Sequence, residues 1–350
     1  MNYSNYFKIN KTDIILYLYL FVAFVFLITI GISSVNGELD FEFYADSETY
    51  IEFMSEKHSF SNILLLFPNM LGPTVILTLL NENFIAVFLL NVFIVLFFYY
   101  NFSLLYKNKR SVLILYFFLS FMFFSSIILI NKEIISLLSI ALFFRYFKTK
   151  SFIFLILSIL ISVLVRWQMT LFIISLTFLL SKWNPLRNNK YILVLLFLFS
   201  ISTVYYFNLS SFEQFNLIAE LGQETSEEGS GIFYFILNIQ NSSFLGYFFV
   251  FIPKFFLLFI GVLARYYKVF DTSDFYNNVV VFSQSVANVF VLFNVIRLKI
   301  GLNNIFLFSA VIYCIIFALS PIFSPRYFFP AYILFSLSIA NHRGKTPCCF

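Results

Sequence analysis

Carboxylates are concentrated in one short segment that separates two apolar stretches of the chain. Residues 38–60 contain seven acidic side chains, although only 11% of the chain is charged. Asp46 and Glu48 lie two positions apart, so an extended backbone directs both side chains to one side. A carboxylate fixed there can accept a proton from a hydroxyl, and a pair of carboxylates can also bind a divalent metal ion. The segment therefore contains candidates for a general base.

The same residues are also typical of the start of a helix. Asp46 or Ser47 is a good N-cap, and Glu48 would then lie in the first turn, where negative charge is favourable. Tyr50 would follow Asp46 by four positions, on the same face of that helix. Capping and proton transfer are compatible, because a capping carboxylate is held in a fixed position.

The composition predicts a membrane protein. Hydrophobic residues make up 61% of the chain and aromatic residues 22%, and several apolar runs approach the roughly 20 residues that cross a bilayer. Transmembrane β-strands would instead be segments of about 10 alternating residues. We therefore expect an all-α, polytopic helical membrane protein in which residues 1–350 form a single integral membrane domain. The net charge of +5 fits basic cytoplasmic loops and gives no indication of nucleic-acid binding.

Basic clusters give the predicted helices an orientation. Cytoplasmic loops tend to carry Lys and Arg, and clusters such as KNKR at 107–110 all face the cytoplasm if segments 63–80 and 245–263 stay at the outer face. Both termini are then cytoplasmic. A single long helix over 151–181 is an alternative, but it would bury Arg166 at its centre. The predicted spans are 14–34, 84–105, 111–131, 134–147, 151–165, 167–181, 191–209, 278–296, 303–320 and 328–340, and the large outer loops are 35–83 and 210–277.

This orientation leaves a set of basic residues at the outer boundary of the membrane, on the side of the carboxylate-rich segment. Arg binds phosphate oxygens through two parallel hydrogen bonds and Lys supplies a point charge, so the set suits a lipid-linked phosphate or diphosphate. Alternatively, each side chain keeps its apolar stem in the lipid and extends its charged end to the water interface, or it pairs with a neighbouring acid, as Lys132 can with Glu133. The set comprises Lys57, Lys132, Arg166, Lys254, Arg265, Lys268 and Arg326.

Four short motifs, ADSETY, NKEIISLL, VRWQ and SPRYFFPAY, together resemble the O-antigen and capsular polysaccharide polymerases of the Wzy type, including the EpsG-like group. The long first outer loop, with an Asp shortly before a Tyr, is also similar to the GT-C class of membrane glycosyltransferases. The resemblance implies a GT-C-like fold of about 10 transmembrane helices with juxtamembrane helices at the outer face. It also implies an enzyme of lipopolysaccharide or capsule biosynthesis in the bacterial inner membrane, which polymerises undecaprenyl-diphosphate-linked oligosaccharide repeat units.

The resemblance implies roles for individual residues as well. Asp46 would be the catalytic base with Glu48 as its substitute or helper. Arg166 and Arg326, with Lys132 or Arg265 as further candidates, would hold the diphosphate of the departing carrier. No resident cofactor is implied, although binding of a divalent metal by Asp46 and Glu48 is left as an alternative. The implied partners are the lipid-linked oligosaccharide, the lipid bilayer and a chain-length regulator. The residues expected to bind substrate are Tyr50, Lys132, Glu133, Arg166, Gln168, Lys254, Arg265, Arg326 and Tyr327.

Two other functions compete with this one. A flippase or transporter also has charged residues within the membrane and broken helices, but it predicts an internal repeat, and the acidic segment has no second copy in the sequence. A glycosyltransferase that uses a sugar on a polyprenyl monophosphate has the same sequence features. The second outer loop departs from the polymerase pattern, because it is acidic and contains no Arg before Arg265.

Overall fold

The computed structural model describes residues 10–32, 50, 71–208, 230–271, 275–320 and 325–344. Every regular element in these ranges is a helix, which confirms the predicted all-α class. The chain divides into two compact units. Unit 1 comprises Met1–Val165, Lys268–Gln284 and Ile339–Phe350, and unit 2 comprises Arg166–Tyr267 and Ser285–Ser338.

Unit 1 contains apolar helices whose starts are fixed by polar side chains. Asn83 accepts a hydrogen bond from the backbone N–H of Ala86, and Asn131 accepts one from that of Glu133, so two helices begin with a satisfied cap. The elements are α1 (Lys11–Phe26, continued as a π-helix over Leu27–Gly31), α2 (Leu71–Leu79), α3 (Phe84–Tyr100, continued as a π-helix over Asn101–Leu105), α4 (Arg110–Leu119), α5 (Phe121–Ile128), α6 (Lys132–Thr149), α7 (Phe152–Val165) and a π-helix over Tyr276–Val281.

Buried polar side chains hold the helices of unit 1 together. Ser139 on α6 and Ser158 on α7 each donate to the other's backbone carbonyl, at 2.9 and 2.8 Å. The amide of Asn91 on α3 donates to the carbonyls of Ile127 and Leu129, where α5 ends. Small and amide side chains are suited to helix contacts in a membrane, because they allow close approach and satisfy backbone groups that lipid cannot.

Unit 2 is organised around one helix that is apolar on every side. Every residue of that helix, Ile305–Leu319, is buried except Val311, which is half-buried. Helices that come earlier in the chain pack against it. The remaining elements lie wholly or mostly in this unit. They are α8 (Trp167–Leu179), α9 (Lys190–Phe207), α10 (Ser230–Ser242), α11 (Phe244–Ile260, continued as a 3-10 helix over Gly261–Lys268), α12 (Phe282–Arg297), α13 (Ile305–Leu319), a 3-10 turn over Pro325–Phe328, and α14 (Phe329–Arg343).

The lengths of the helices support a membrane protein. By length and composition, the described ranges contain 5 helical segments able to cross a bilayer, or 6 if α4 and α5, which meet at an 83° bend, form one broken span. Their exposed faces carry large apolar side chains, which lipid would cover. The five segments are Lys11–Gly31, Phe84–Leu105, Lys190–Phe207, Phe244–Lys268 and Tyr276–Arg297.

The expected count of about ten spans is not obtained. Three predicted spans form α7, α8 and α13, which have 14, 13 and 15 residues and are shorter than the roughly 20 that a bilayer requires. Segment 245–263, predicted to lie at the outer face, instead belongs to a helical segment of 25 residues. The break at Arg166 occurs as predicted, because α7 ends at Val165 and α8 begins at Trp167.

Candidate functional site

The start of α8 carries a buried arginine against an aromatic ring. Arg166 is the N-cap residue of α8, with an extended backbone (φ −167°, ψ 144°), and only 5% of its surface is exposed. The centre of its guanidinium lies 3.7 Å from the centroid of the Tyr327 ring. A planar guanidinium this close to a ring face gains a cation–π attraction, which is larger when water is excluded.

A second arginine contacts the same ring. The guanidinium centre of Arg326 lies 5.6 Å from the Tyr327 centroid, and both residues belong to the 3-10 turn that precedes α14. The hydroxyl of Tyr313 on α13 donates to the backbone carbonyl of Tyr327 at 2.7 Å, which ties the turn to the buried helix. Two guanidinium groups that are far apart in the sequence therefore contact the same tyrosine ring.

Polar side chains also converge on the C-terminal end of α13. Lys254 on α11 is fully buried, and its ammonium donates to Oε1 of Gln240 at 2.8 Å and to the backbone carbonyl of Ser320 at 3.0 Å. Gln240 in turn donates to the carbonyl of Leu319, and Gln168 donates to the hydroxyl of Ser320. The last carbonyls of a helix have no partner inside the helix, so these side chains act as its C-terminal cap.

In the described part of unit 2, every charged side chain is basic. All five glutamates of its sequence lie within residues 213–228, outside the described ranges, so the described part of the unit contains basic residues but no Asp or Glu. Lys254 accordingly finds neutral acceptors, an amide oxygen and a peptide carbonyl. Positive charge buried among apolar helices is costly, and such charges generally indicate a functional site.

Three predicted residues come together in unit 1. Lys132 opens α6, is 7% exposed, and holds its ammonium 5.3 Å from the centroid of the Tyr50 ring. Glu133 follows it and is also buried. Tyr50 packs in an apolar cluster with Leu77 and Val87. Opposite charges at adjacent positions partly compensate each other, so this cluster is closer to neutral than the arginine pair.

Several predicted residues lie outside what the structure describes. The two catalytic candidates, Asp46 and Glu48, belong to residues 33–49, and the side chain of Arg265 is not among those described. Within the described ranges, His, Cys, Asp and Glu form no group of three or more that could hold a metal ion. The catalytic role of the carboxylate pair therefore stays a prediction from the sequence.

The sequence reasoning did not identify three residues that complete the unit 2 site. Tyr313, Gln240 and Ser320 all bond to predicted residues or to the segment that carries them. The sequence did indicate that a residue such as Gln240 was needed, because Lys254 in the middle of an apolar helix requires a buried hydrogen-bond acceptor. The sequence did not indicate a role for Tyr313, since a tyrosine in an apolar helix does not reveal which group its hydroxyl binds.

Comparison with known proteins adds no relative. No family model, no curated protein and no solved structure matches the chain.

Proposed function

We propose that the chain is a membrane glycosyltransferase that polymerises undecaprenyl-diphosphate-linked oligosaccharide repeat units of O-antigen or capsule at the outer face of the bacterial inner membrane. A GT-C-like architecture and a chain-length regulator as partner belong to the same proposal. The observation that carries it is the pair of guanidinium groups, Arg166 and Arg326, on the ring of Tyr327.

A diphosphate is the ligand whose charge suits this pair. It carries negative charge on two adjacent phosphorus centres, and each guanidinium can bind one phosphate through two parallel hydrogen bonds. Tyr327 orients both groups, so less conformational freedom is lost when the anion binds. The absence of carboxylates from the described part of unit 2 means that no acidic side chain there would repel the diphosphate.

The chemistry then requires few protein groups. The acceptor oxygen forms a bond to the anomeric carbon, while the bond from that carbon to the phosphate oxygen breaks and its electron pair leaves with the diphosphate. The arginines stabilise the negative charge on the leaving group. A base must take the proton of the acceptor hydroxyl, and the family resemblance assigns this role to Asp46, assisted by Glu48.

The proposal is tested by transfer assays with purified full-length protein in lipid nanodiscs. The donor is the undecaprenyl-diphosphate-linked repeat unit isolated from a host that lacks this gene, and the readout is a ladder of longer lipid-linked chains. Transfer only from a monophosphate-linked sugar would favour the alternative transferase. Absence of transfer, together with movement of the lipid-linked oligosaccharide across proteoliposomes, would favour a flippase.

The host provides a complementary experiment. Deleting the gene and separating the surface polysaccharide on a gel should leave a product with a single repeat unit, because a missing polymerase leaves the first unit in place. Loss of all surface polysaccharide would contradict polymerisation and indicate an earlier step.

A further inference from the structure

The turn between α8 and α9 has a fixed backbone. Asn184 is buried, its amide donates to the carbonyl of Leu179 at 3.1 Å, and its side-chain oxygen accepts from the backbone N–H of Leu186 at 3.0 Å. Its own carbonyl accepts from the N–H of Arg187 at 3.2 Å. Residues 181–189, here termed the interfacial turn, are therefore held in one shape by hydrogen bonds from a single asparagine.

The interfacial turn presents a tryptophan outward. Trp183 is 92% exposed, whereas the other tryptophan of the chain, Trp167, is 38% exposed and packs on Tyr205. An indole combines a large apolar surface with one N–H donor, and full exposure of that surface to water is unfavourable. Tryptophan is enriched where a bilayer meets water, because both parts of the ring are satisfied there.

The neighbouring helix indicates that the turn lies at the bilayer surface. The span α9 begins at Lys190, directly after the turn, and Tyr191, Leu195 and Phe199 are more than half exposed along one face of it. These side chains, four positions apart, form an apolar stripe suited to acyl chains. A residue just before the first turn of such a span lies at the level of the lipid headgroups.

The charge of the interfacial turn is entirely positive. Lys182 is exposed and Arg187 is half-buried, and no acid occurs between Glu133 and Glu213 in the sequence. Lys190 instead folds back onto the protein, with its ammonium 4.4 Å from the centroid of the Phe308 ring. The two remaining cations flank Trp183 and complement an anionic surface.

We propose that the interfacial turn binds the anionic phospholipid headgroups of the leaflet it faces: Trp183 inserts its indole between headgroups, while Lys182 and Arg187 bind their phosphates. This inference rests on the membrane assignment and on the geometry of the turn, and it is independent of the proposed glycosyltransferase activity. Each basic residue near an anionic membrane surface favours association roughly fivefold.

Tryptophan fluorescence tests the proposal in the full-length protein. The Trp167→Phe variant leaves Trp183 as the sole tryptophan, and it is reconstituted in nanodiscs of phosphatidylcholine alone or of phosphatidylcholine mixed with phosphatidylglycerol. We expect a blue-shifted emission and strong quenching by lipids brominated near the headgroup. Quenching by the neutral solute acrylamide should be severalfold weaker when phosphatidylglycerol is present. Replacing both Lys182 and Arg187 by Gln should abolish the dependence on phosphatidylglycerol.

The Trp183→Phe variant is the matched control, because it reports Trp167, whose emission should not depend on phosphatidylglycerol. Water-like emission and equal acrylamide quenching of Trp183 in both nanodiscs would overturn the proposal and would suit a protein partner for the turn. Insertion that is identical in both lipid mixtures would overturn the assignment to anionic headgroups. Neither result depends on transferase activity, so the two proposals fail separately.

Discussion

One arginine site in unit 1 and the basic residues at the end of α13 in unit 2 hold positive charge differently. In unit 1, Arg110 donates to Asp13 at 2.7 Å in an ion pair, and the other carboxylate oxygen accepts from the hydroxyl of Tyr99, also at 2.7 Å. In the described part of unit 2, no carboxylate occurs, and Lys254 is held by neutral acceptors. Arg166 and Arg326 contact the ring of Tyr327.

In the proposed function, the charge of Arg110 has a structural role and the charges of Arg166 and Arg326 bind a ligand. An ion pair such as Arg110–Asp13 neutralises itself and joins two helices, α4 and α1, so it has little attraction left for an anion. A cation–π contact with a neutral tyrosine ring does not cancel the charge of a guanidinium. If this distinction is correct, conservative substitutions should be harmful in unit 2 and tolerated at the ion pair of unit 1.

The largest expected effect concerns the acidic segment in the sequence of unit 1. Asp46→Asn preserves shape and capping ability but removes the base, so glycosyl transfer should fall about 100- to 10,000-fold at a normal protein level. Glu48→Gln should be weaker and Asp40→Asn nearly silent. The measurement is transfer from the lipid-linked donor by purified variants, and a rate within a few-fold of wild type for Asp46→Asn would leave only a capping role.

The arginine pair should respond next most strongly. Arg166→Lys and Arg326→Lys keep the charge but lose the planar fork, so each should lower transfer roughly 10- to 100-fold while the protein still accumulates in the membrane. Arg110→Lys is the matched control, because lysine can keep the ion pair with Asp13, and its activity should stay near normal. Equal activity of all three variants would remove the distinction between the two units.

Helix packing should be equally tight in both units, so that the two units differ in how they hold charge and not in how closely their helices approach. A Cβ at Gly246 in unit 2 would lie 2.0 Å from the carbonyl oxygen of Ile239, and one at Gly72 in unit 1 would lie 2.2 Å from that of Leu164. Both contacts are with backbone, so each Gly→Ala change should cost about 3 kcal/mol of unfolding free energy. Gly301→Ala, with nothing within 4 Å, is the control in thermal or denaturant unfolding and should be neutral.

The smallest effects are expected in the cap of α13. Gln240→Met removes an acceptor of the buried Lys254 ammonium and a donor to Leu319, so it should cost about 2 kcal/mol of stability. Tyr205→Phe removes a neutral hydroxyl that donates to the carbonyl of Ile316, and it should cost about 1 kcal/mol. Unfolding of both variants in detergent compares them, and a larger loss for Tyr205→Phe would show that the lysine contact adds little.

The sequence predicted the class of the protein and some of its local breaks. Composition alone indicates helices in a membrane, because the free energy of burying apolar residues in lipid depends mainly on how many there are and how long each run is. The separation of α7 from α8 was also predictable, since a continuous helix would place Arg166 at the centre of a span. The number of spans was not predictable, because apolar runs of similar composition form helices of unequal length.

Only the tertiary structure brought Arg166, Arg326 and Tyr327 together and directed Lys254 to the end of α13. In a helix that is apolar on every side, such as α13, the residue pattern does not distinguish the faces, so the sequence cannot indicate which helices become neighbours. That choice depends on close packing and on where each buried polar group finds its partner, as Lys254 does at Gln240 and Ser320. The sequence determined which charged residues had to be accommodated, and long-range helix contacts decided what surrounds them.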